Sequence, residues 1–250
     1  LVYSSVLPDQ SFLTGVNSAY NFIDLDGIDE YIDAGALDST VEPPLSISIW
    51  VKGSSQASTL IQDDNIANGL LYTRAGNEIS LYTSVGDKSY SYTLNNTWAH
   101  IVMTQASSAK PLVYVNGDLL SNGSQDSAPN PSFSNIRIGG DWNEFNGSIG
   151  QTAIWNKELS STEVSAIYNL GRHSNLLDSY SDNLVGNWAM SALDAKTGLS
   201  DVGNGTIYDR SGNSNHGTAT ATEASDLASS PNAQPEGYAK QDTNRTTTTP

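Results

Sequence analysis

From about residue 20 to residue 155, short segments with alternating apolar and polar residues follow one another, with turn residues between them. In Leu45–Val51, Ile47 and Ile49 fall on one face of a strand, whereas Ser46 and Ser48 fall on the other. Turn residues recur roughly every eight to twelve positions, which is the spacing of short strands in an antiparallel sandwich. The pattern predicts an all-β chain folded as two packed antiparallel sheets.

The turns between these segments are rich in glycine and asparagine. Asn116-Gly117 suits a tight hairpin, because both residues tolerate a positive φ. Ala75-Gly76-Asn77 and Val85-Gly86-Asp87 predict two further turns. The predicted strands are residues 20–27, 30–35, 45–51, 59–64, 69–74, 78–84, 90–94, 98–105, 111–120, 135–140 and 148–155.

One short helix is predicted after the last of these strands. Ser160 or Ser161 can cap it, Glu163 is placed to complete a capping box, and Gly171 ends it. Its apolar face consists of Leu159, Val164, Ile167 and Tyr168. Such a face needs an apolar surface to cover, so the helix is expected to pack against the sandwich.

The composition excludes several classes of function. With 27 acidic and 11 basic residues, the chain has a net charge of −16, which argues against nucleic acid or an anionic membrane as a partner. There is no cysteine, so disulfides and thiolate catalysis are excluded. The first ten residues lack a basic segment and an initiator methionine, and we expect them to begin a processed or excised chain.

The chain continues well beyond the helix. Residues 183–190 predict one more strand, and a passage rich in glycine and asparagine follows at 207–221. Residues 223–250 form a polar, low-complexity tail with little to bury. Such a tail is either disordered or ordered only by lying on a neighbour.

Six segments in this order resemble the concanavalin A-like, laminin G-type jelly roll in its microbial and viral form. They are FIDLDGIDEYIDAG (22–35), ISIWVK (47–52), NNTWAHIVMT (95–104), VYVNGDLL (113–120), IRIGG (136–140) and SIGQTAIWNKELSSTEVSAIYNLG (148–171). The resemblance covers residues 20–172 and implies a two-sheet jelly-roll sandwich with one short helix after the last core strand.

The order of the remaining segments carries a further resemblance. In many family members a strand like LVGNWAM and a loop like YDRSGNSNHG precede the FIDLDG segment, whereas here they come last. That order resembles laminin G-like domains of tailed-bacteriophage structural proteins. It implies one domain over residues 1–222, with a core at 20–172 and a permuted strand at about 183–190 that joins the same sandwich as residues 20–27.

The family often holds one structural calcium ion between its Asp-Gly turn and its last core strand. Asp26 matches the first position, whereas Gln151 stands where an acidic residue is common. Alternatively, Asp26 bonds its own turn. Asp209 and Asn213 lie in a second oxygen-rich loop, whose alternative is a simple turn. Calcium is therefore an expected structural cofactor at one of these places.

Aromatic residues near polar groups indicate a site for glycans. Tyr72 and Tyr82 fall in adjacent predicted strands, and Trp142 and Asn143 fall in a loop between polar residues. Sugars stack on exposed aromatic rings and need nearby hydrogen-bonding groups. Alternatively, the tyrosines fill the core or line a subunit contact. This alternative fits Trp142 less well, because an aromatic residue in a loop is rarely part of a core.

Catalysis is not expected. Glycoside hydrolases need two carboxylates near the scissile bond, and on this sandwich both lie on one strand face. The segments GLLYTR, ISLYTS, YSYTL and WAHIVMT contain no acidic residue. His100, in a predicted strand beside Trp98, is interpreted as a packed or rim residue.

Two functional hypotheses follow. The first is a non-enzymatic bacteriophage virion component, such as a capsid decoration, fibre or tail protein, that assembles with other virion proteins or copies of itself and can contact host polysaccharide. The second is a secreted or cell-surface, lectin-like carbohydrate-binding module. The order of the C-terminal segments and the polar tail favour the virion. Fold alone does not separate the two, because this sandwich hosts both functions.

Overall fold

The computed structural model describes residues 22–54, 56–121, 123–124, 129–172, 174–190, 205–221 and 227–228. In these residues it contains strands β1–β17, one α-helix (α1, Ser161–Leu170) and a 3-10 turn at Leu176–Asp178. The strands are β1 Phe22–Asp26, β2 Tyr31–Val41, β3 Leu45–Gly53, β4 Ser58–Asp63, β5 Leu70–Arg74, β6 Glu78–Thr83, β7 Gly86–Ser91, β8 Ala99–Gln105, β9 Leu112–Val115, β10 Asp118–Leu119, β11 Gly123–Ser124, β12 Phe133–Ile138, β13 Asn146–Trp155, β14 Leu184–Trp188, β15 Gly205–Ile207, β16 Gly217–Thr220 and β17 Leu227–Ala228.

The described strands form two antiparallel sheets. Sheet A runs β10-β9-β8-β3-β13-β1-β17, and β14 also pairs with β13. Sheet B runs β11-β7-β6-β5-β4-β12-β2-β16-β15. The predicted all-β, two-sheet sandwich with one helix after the core strands is thereby confirmed.

The core lies between the two sheets and follows from the alternation in the sequence. Ile47 and Ile49 of β3 face sheet B across this core and are fully buried, as are Leu71 and Leu81 of sheet B. Side chains that alternate with them point to the outer faces of the sandwich. The period of two therefore decides which residues are left to make contacts outside the core.

Helix α1 covers much of the outer face of sheet A. Ser160 and Glu163 form the predicted capping box, and the Gly171 N–H bonds the Tyr168 carbonyl at the other end. Val164 and Ile167 pack in a second apolar cluster on outward-facing side chains of sheet A, namely Val102, Tyr114, Ala153 and Trp155. Among the described residues, no helix has the length and apolar character needed to cross a membrane.

Strands from both ends of the described chain share one edge of β13. β1 pairs with the first half of β13, with Ile23 opposite Ile149, and β14 pairs with the second half, with Trp188 opposite Thr152. The two strands therefore lie end to end along β13. Trp188 is fully buried in the core between the sheets, so β14 contributes to the same sandwich as β1.

The segment after β14 also returns to the sandwich. β16 pairs with β2 in sheet B, and Leu227–Ala228 pair with Phe22 and Ile23 in sheet A. Those two residues fall within 223–250, so the sandwich includes part of the range that the sequence assigns to a tail. The rest of that tail lies outside the described residues.

The β6–β7 hairpin differs from the prediction. Thr83 pairs with Gly86, so the turn is Ser84–Val85 and not Val85-Gly86-Asp87. β7 accordingly begins before the predicted strand at 90–94. The composition of Gly86-Asp87 is typical of a turn, but pairing with β6 draws both residues into the strand. This shift places Asp87 on the outer face of sheet B.

Candidate functional site

The candidate site lies on the outer face of sheet B, the sheet on which α1 does not pack. Residues opposed in neighbouring strands point to the same side, so the registers identify its members. Three rows across the strands are Thr59–Tyr72–Ser80–Ser89, Leu70–Tyr82–Asp87 and Arg74–Glu78–Ser91. The second row continues from Leu70 through Gln62, Arg137 and Asp33 across β4, β12 and β2. The face is thus a mixture of aromatic, charged and hydroxyl side chains.

An aromatic strip crosses this face. The Trp142 ring stands edge-on to the Tyr72 ring, with centroids 6.2 Å apart and an interplanar angle of 75°. Tyr82 occupies the diagonal position next to Tyr72, where side chains lie roughly 7 Å apart. Trp142 is 42% exposed and is the one aromatic among the well-exposed large apolar residues in the described part of the chain. The strip is defined as Trp142, Tyr72 and Tyr82. An external ligand can reach the exposed Trp142 ring and the half-buried Tyr82 ring, whereas Tyr72 is buried, with 9% exposure.

The loop that carries Trp142 is held rigidly on β4. The Thr59 N–H donates to the Asn143 carbonyl at 2.7 Å, and the Thr59 hydroxyl donates to the Trp142 carbonyl. Gln62 Nε2 donates to Asp141 Oδ1 at 2.6 Å. Gly140 has φ +80°, and a Cβ there would lie 2.3 Å from Thr59 Cβ. The contacts of Thr59 and Gln62 therefore hold the backbone of the loop that presents the Trp142 indole.

Arg74 forms hydrogen bonds and ion pairs at one end of the strip. Its Nη1 donates to Asp87 Oδ2 at 2.8 Å and to the Ser89 hydroxyl at 3.2 Å, and its Nε lies 3.8 Å from Glu78 Oε2. Burial raises the pKa of the Asp87 carboxyl, an effect that Arg74 opposes and Glu78 reinforces. Burial also raises the pKa of the Tyr72 phenol, with a further contribution from Asp87. The tyrosine therefore stays a neutral hydrogen-bonding group at ordinary pH.

Arg137 organises the other end. Its Nη2 lies 2.6 Å from Asp64 Oδ1, its Nη1 donates to Asp141, and its Nε lies 4.0 Å from Asp33 Oδ2. The same guanidinium is 5.4 Å from the centre of the Tyr31 ring. Arg137 thus ties β12, β2 and the Trp142 loop together within the face.

The four residues predicted to bind a glycan all belong to this face or its loop. Tyr72, Tyr82 and Trp142 form the aromatic strip, and the exposed Asn143 holds the loop through its carbonyl, with a φ of +52°. Sequence reasoning missed the two arginines and the β4 residues beneath the loop. A period-two count along β5 and β12 places Arg74 and Arg137 outward, but only the fold brings Arg137 beside Asp141.

The two residues predicted to hold calcium between the first turn and the last core strand lie apart. Asp26 pairs with Asn146, and Gln151 is five residues further along β13, roughly 15 Å at the rise of a strand. Asp26 Oδ1 accepts from the Ile28 N–H at 2.8 Å, which is the alternative turn contact. Gln151 is buried, and its side-chain amide donates to the Ser174 carbonyl at 2.8 Å.

The second predicted calcium loop is hydrogen-bonded to β14. Asp209 Oδ1 accepts from the N–H groups of Asn187 and Ser211, both at 2.8 Å, and its Oδ2 accepts from the Ser211 hydroxyl and the Asn215 N–H. Asn213 Nδ2 donates to the Leu184 carbonyl at 2.8 Å. No group of three acidic or histidine side chains in the described residues is arranged to hold a metal. Calcium binding at these positions stays a prediction.

Replacing Asp209 by alanine should destabilise the protein through the loss of its hydrogen bonds alone, whether or not calcium is present. The substitution leaves three buried or half-buried N–H donors without their acceptor, at a cost of roughly 3 kcal/mol in the free energy of unfolding. Urea denaturation of both proteins checks the value. Equal losses in millimolar calcium and in EDTA are expected, whereas a loss confined to calcium would show that the loop holds the ion.

Acidic residues are present on the strands where the sequence analysis finds none. β6 begins with Glu78 and β7 contains Asp87, and both side chains point to the outer face of sheet B. Glu78 begins the predicted strand at 78–84 but lies just before the ISLYTS stretch that was checked for acidic residues, and Asp87 precedes the predicted strand at 90–94. Arg74 separates the two carboxylates by pairing with each.

Comparison with known proteins gives one family and several similar folds. The family model of the concanavalin A-like lectin/glucanases superfamily matches residues 26–165. The fold is similar to that of a candidate carbohydrate-binding protein from Bacteroides ovatus, with a TM-score of 0.51 and 13% identity over 78% of this chain and 59% of that one. The chain therefore spans less than two thirds of that relative.

Two further structures are more distant. A SAP-like pentraxin from Limulus polyphemus has a TM-score of 0.45 and 13% identity, over 60% of this chain and 81% of the pentraxin. Domain 4 of an extracellular arabinanase from Geobacillus stearothermophilus, in complex with arabinotriose, has a TM-score of 0.46 and 18% identity. The match covers 59% of this chain and 76% of the arabinanase domain. No curated protein matches the chain at a significant level.

These comparisons do not show the resemblance to tailed-bacteriophage proteins that the segment order suggests. They do show the wider family. The matched region makes up more than half of the chain and contains strands of both sheets. On that match, the protein belongs to the concanavalin A-like lectin/glucanase superfamily.

Proposed function

We propose that the protein is a non-catalytic, secreted or cell-surface module that binds carbohydrate on the outer face of sheet B. The observation that carries this proposal is the exposed Trp142 ring, which stands edge-on to Tyr72 on a loop that Thr59 and Gln62 hold against the polar surface of sheet B. An immobilised aromatic ring loses little entropy on binding, because it is already in place.

The groups around the strip suit a sugar. The apolar face of a pyranose or furanose ring can stack on the Trp142 indole, as apolar surfaces do on aromatic rings. Sugar hydroxyls both donate and accept hydrogen bonds, and Asp141, Asn143 and Arg74 offer acceptors and donors close to the strip. A few oriented polar groups around an apolar platform are the usual composition of a small-molecule site.

The fold comparison supports carbohydrate binding over the virion hypothesis. The Bacteroides ovatus protein that shares the sandwich is a candidate carbohydrate-binding protein. The virion hypothesis rests only on the segment order and the polar tail, and the comparisons lend it no support. The proposed partner is therefore a polysaccharide outside the cell.

The absence of catalysis is part of the proposal. A raised pKa of Asp87 beside a second carboxylate, Glu78, is a feature that glycoside hydrolases use. Here, however, Arg74 contacts both groups, and Asp87 is only 19% exposed. A general acid must present its proton to the glycosidic oxygen, whereas this carboxyl points its Oδ2 at a guanidinium. We expect no release of reducing ends from any polysaccharide that the protein binds.

Trp142→Ala should abolish most of the binding without affecting stability. Loss of a central aromatic contact costs at least about 2 kcal/mol, or roughly 30-fold in affinity. Affinity electrophoresis in gels that contain a panel of polysaccharides measures the affinity, and thermal melting measures stability. Leu119→Ala is the matched control, because Leu119 is similarly exposed but lies on β10 of sheet A. Undiminished binding by Trp142→Ala would place the site elsewhere.

A further inference from the structure

We propose that the outer face of sheet B selects neutral glycans and rejects glycans that carry carboxylates or sulfates. The inference rests on the proposed function and adds the chemical class of the ligand. It follows from the charges around the aromatic strip and from the contacts that those charges make.

Arg74, the arginine nearest to the strip, already contacts side chains of the protein itself. Arg74 bonds Asp87 at 2.8 Å and Ser89 at 3.2 Å, and Glu78 lies on its other side at 3.8 Å. Proteins recognise anionic groups best through guanidinium groups with free, paired donors. An acidic sugar that approaches Arg74 would have to compete with Asp87 and Glu78 for the same guanidinium group.

The second arginine is held more tightly. Arg137 contacts Asp64 at 2.6 Å on one side and Asp141 on another, and Asp33 lies 4.0 Å from its Nε. Its guanidinium also lies over the Tyr31 ring. Three carboxylates around one cation leave an excess of negative charge at this end of the face.

The sum of these charges repels anions. Five carboxylates surround the two guanidinium groups. The chain as a whole has a net charge of −16, so its long-range field has the same sign as the face. A polyanion would therefore meet repulsion both at a distance and on contact.

The same carboxylates favour neutral sugars. A carboxylate oxygen has lone pairs beyond those that an ion pair uses, and these accept hydrogen bonds from hydroxyl groups. The Asp64 side chain is 52% exposed and that of Asp33 is 39% exposed, so part of each group remains accessible to a ligand. A polyol with many hydroxyl donors and no charge matches this surface, with its apolar face against Trp142.

Affinity electrophoresis of the full chain at low ionic strength tests the selection. The neutral probes are arabinan, xylan, galactomannan and methyl-esterified polygalacturonate. The anionic probes are polygalacturonate with free carboxylates, alginate and heparin. We expect retardation by at least one neutral polysaccharide and by none of the anionic ones.

A charge-neutralising variant should reverse the rejection. Asp33→Asn combined with Asp64→Asn leaves Arg137 with Asp141 as its one carboxylate partner among the described residues, and opens donors to a ligand. Affinity for at least one anionic polysaccharide should rise tenfold or more, and added salt should weaken it. Asp118→Asn combined with Asp182→Asn is the matched control, because it changes the net charge equally but leaves Arg137 untouched. No gain is expected from the control.

Each outcome bears on a different claim. If the wild type binds anionic polysaccharides as strongly as neutral ones, selection by this face is overturned while carbohydrate binding stands. If Asp33→Asn/Asp64→Asn gains no affinity for anions, or if both double variants gain it equally, the assignment of rejection to the Arg137 carboxylates is wrong. If no polysaccharide of either class retards the wild type, the proposed function itself fails.

Discussion

A chain that ends at Gly171 is expected to aggregate instead of folding. The truncation removes β14, which leaves one edge of the second half of β13 unpaired, and it removes the fully buried Trp188. Loss of a buried tryptophan alone costs about 3–5 kcal/mol, against a total stability of about 5–15 kcal/mol for a domain. The unpaired edge of β13 would also expose main-chain groups to pairing with other molecules.

Size-exclusion chromatography with light scattering and circular dichroism would measure the effect. A chain ending at residue 230 is the control, since it keeps every strand that the structure describes. Trp188→Ala isolates the contribution of the core side chain, whose Nε1 donates to the Asn215 carbonyl at 2.7 Å. A monomeric chain ending at Gly171 with an unchanged melting temperature would contradict the structural role of β14.

Mild acid should weaken the fold through His100. This residue is fully buried on sheet A, its Nε2 lies 2.8 Å from the Ser48 hydroxyl, and its ring stacks on Trp50 at 4.7 Å. Its Nδ1 has no hydrogen-bond partner in the described part of the chain. Burial lowers the pKa of His100 from 6.5 to about 3, because a charged imidazolium there would be out of contact with water and its Nδ1–H would lack an acceptor among the described residues.

The lowered pKa sets the direction of the pH dependence. Between pH 6.5 and about 3 the unfolded chain binds a proton at His100 that the folded chain does not. The stabilisation is therefore complete above pH 6.5 and is lost progressively as the pH falls. The full change in the pKa of His100 corresponds to roughly 5 kcal/mol in the free energy of unfolding, of which about 1 kcal/mol is lost between pH 7 and pH 5.5.

Urea denaturation at pH 7 and at pH 5.5 would measure this loss before most carboxylates titrate. His100→Gln should flatten the dependence by about 1 kcal/mol over that interval, because glutamine does not titrate. His216→Gln, at an exposed histidine in the Asp209 loop, should leave the dependence in place. Identical slopes for the wild type and His100→Gln would show that another group is responsible.

Features that depend on neighbours in the sequence were predictable. The capping box of α1 needs only Ser160 and Glu163 at the right spacing, and the structure forms it. The Asn116-Gly117 turn has φ values of +53° and +84°, as the residue types predict. The Val85-Gly86-Asp87 turn fails because pairing across β6 and β7 outweighs local composition.

Features that depend on distant segments were only partly predictable. The exposure of Trp142 follows from its place in a polar loop, but its contact with Tyr72 requires the loop to fold back over β4. The grouping of Asp33, Asp64 and Asp141 around Arg137 joins three distant parts of the chain, and no local pattern indicates it. The calcium prediction paired Asp26 with Gln151 by family analogy, whereas the β13 register separates them.

The position of α1 on sheet A has a consequence for how strongly the protein can attach to a polymer. In the part of the chain that the structure describes, α1 packs on the outer face of sheet A and the proposed site lies on sheet B, so each molecule would engage one polysaccharide chain at that site. Tight attachment to a cell wall or a matrix would then require avidity, from several copies linked or assembled side by side. The effective concentration of a second copy is about millimolar with a short linker, and it can raise binding by roughly 10²–10⁴-fold. In such an arrangement, valence would determine how long attachment lasts, and each sheet face would determine which sugar is held.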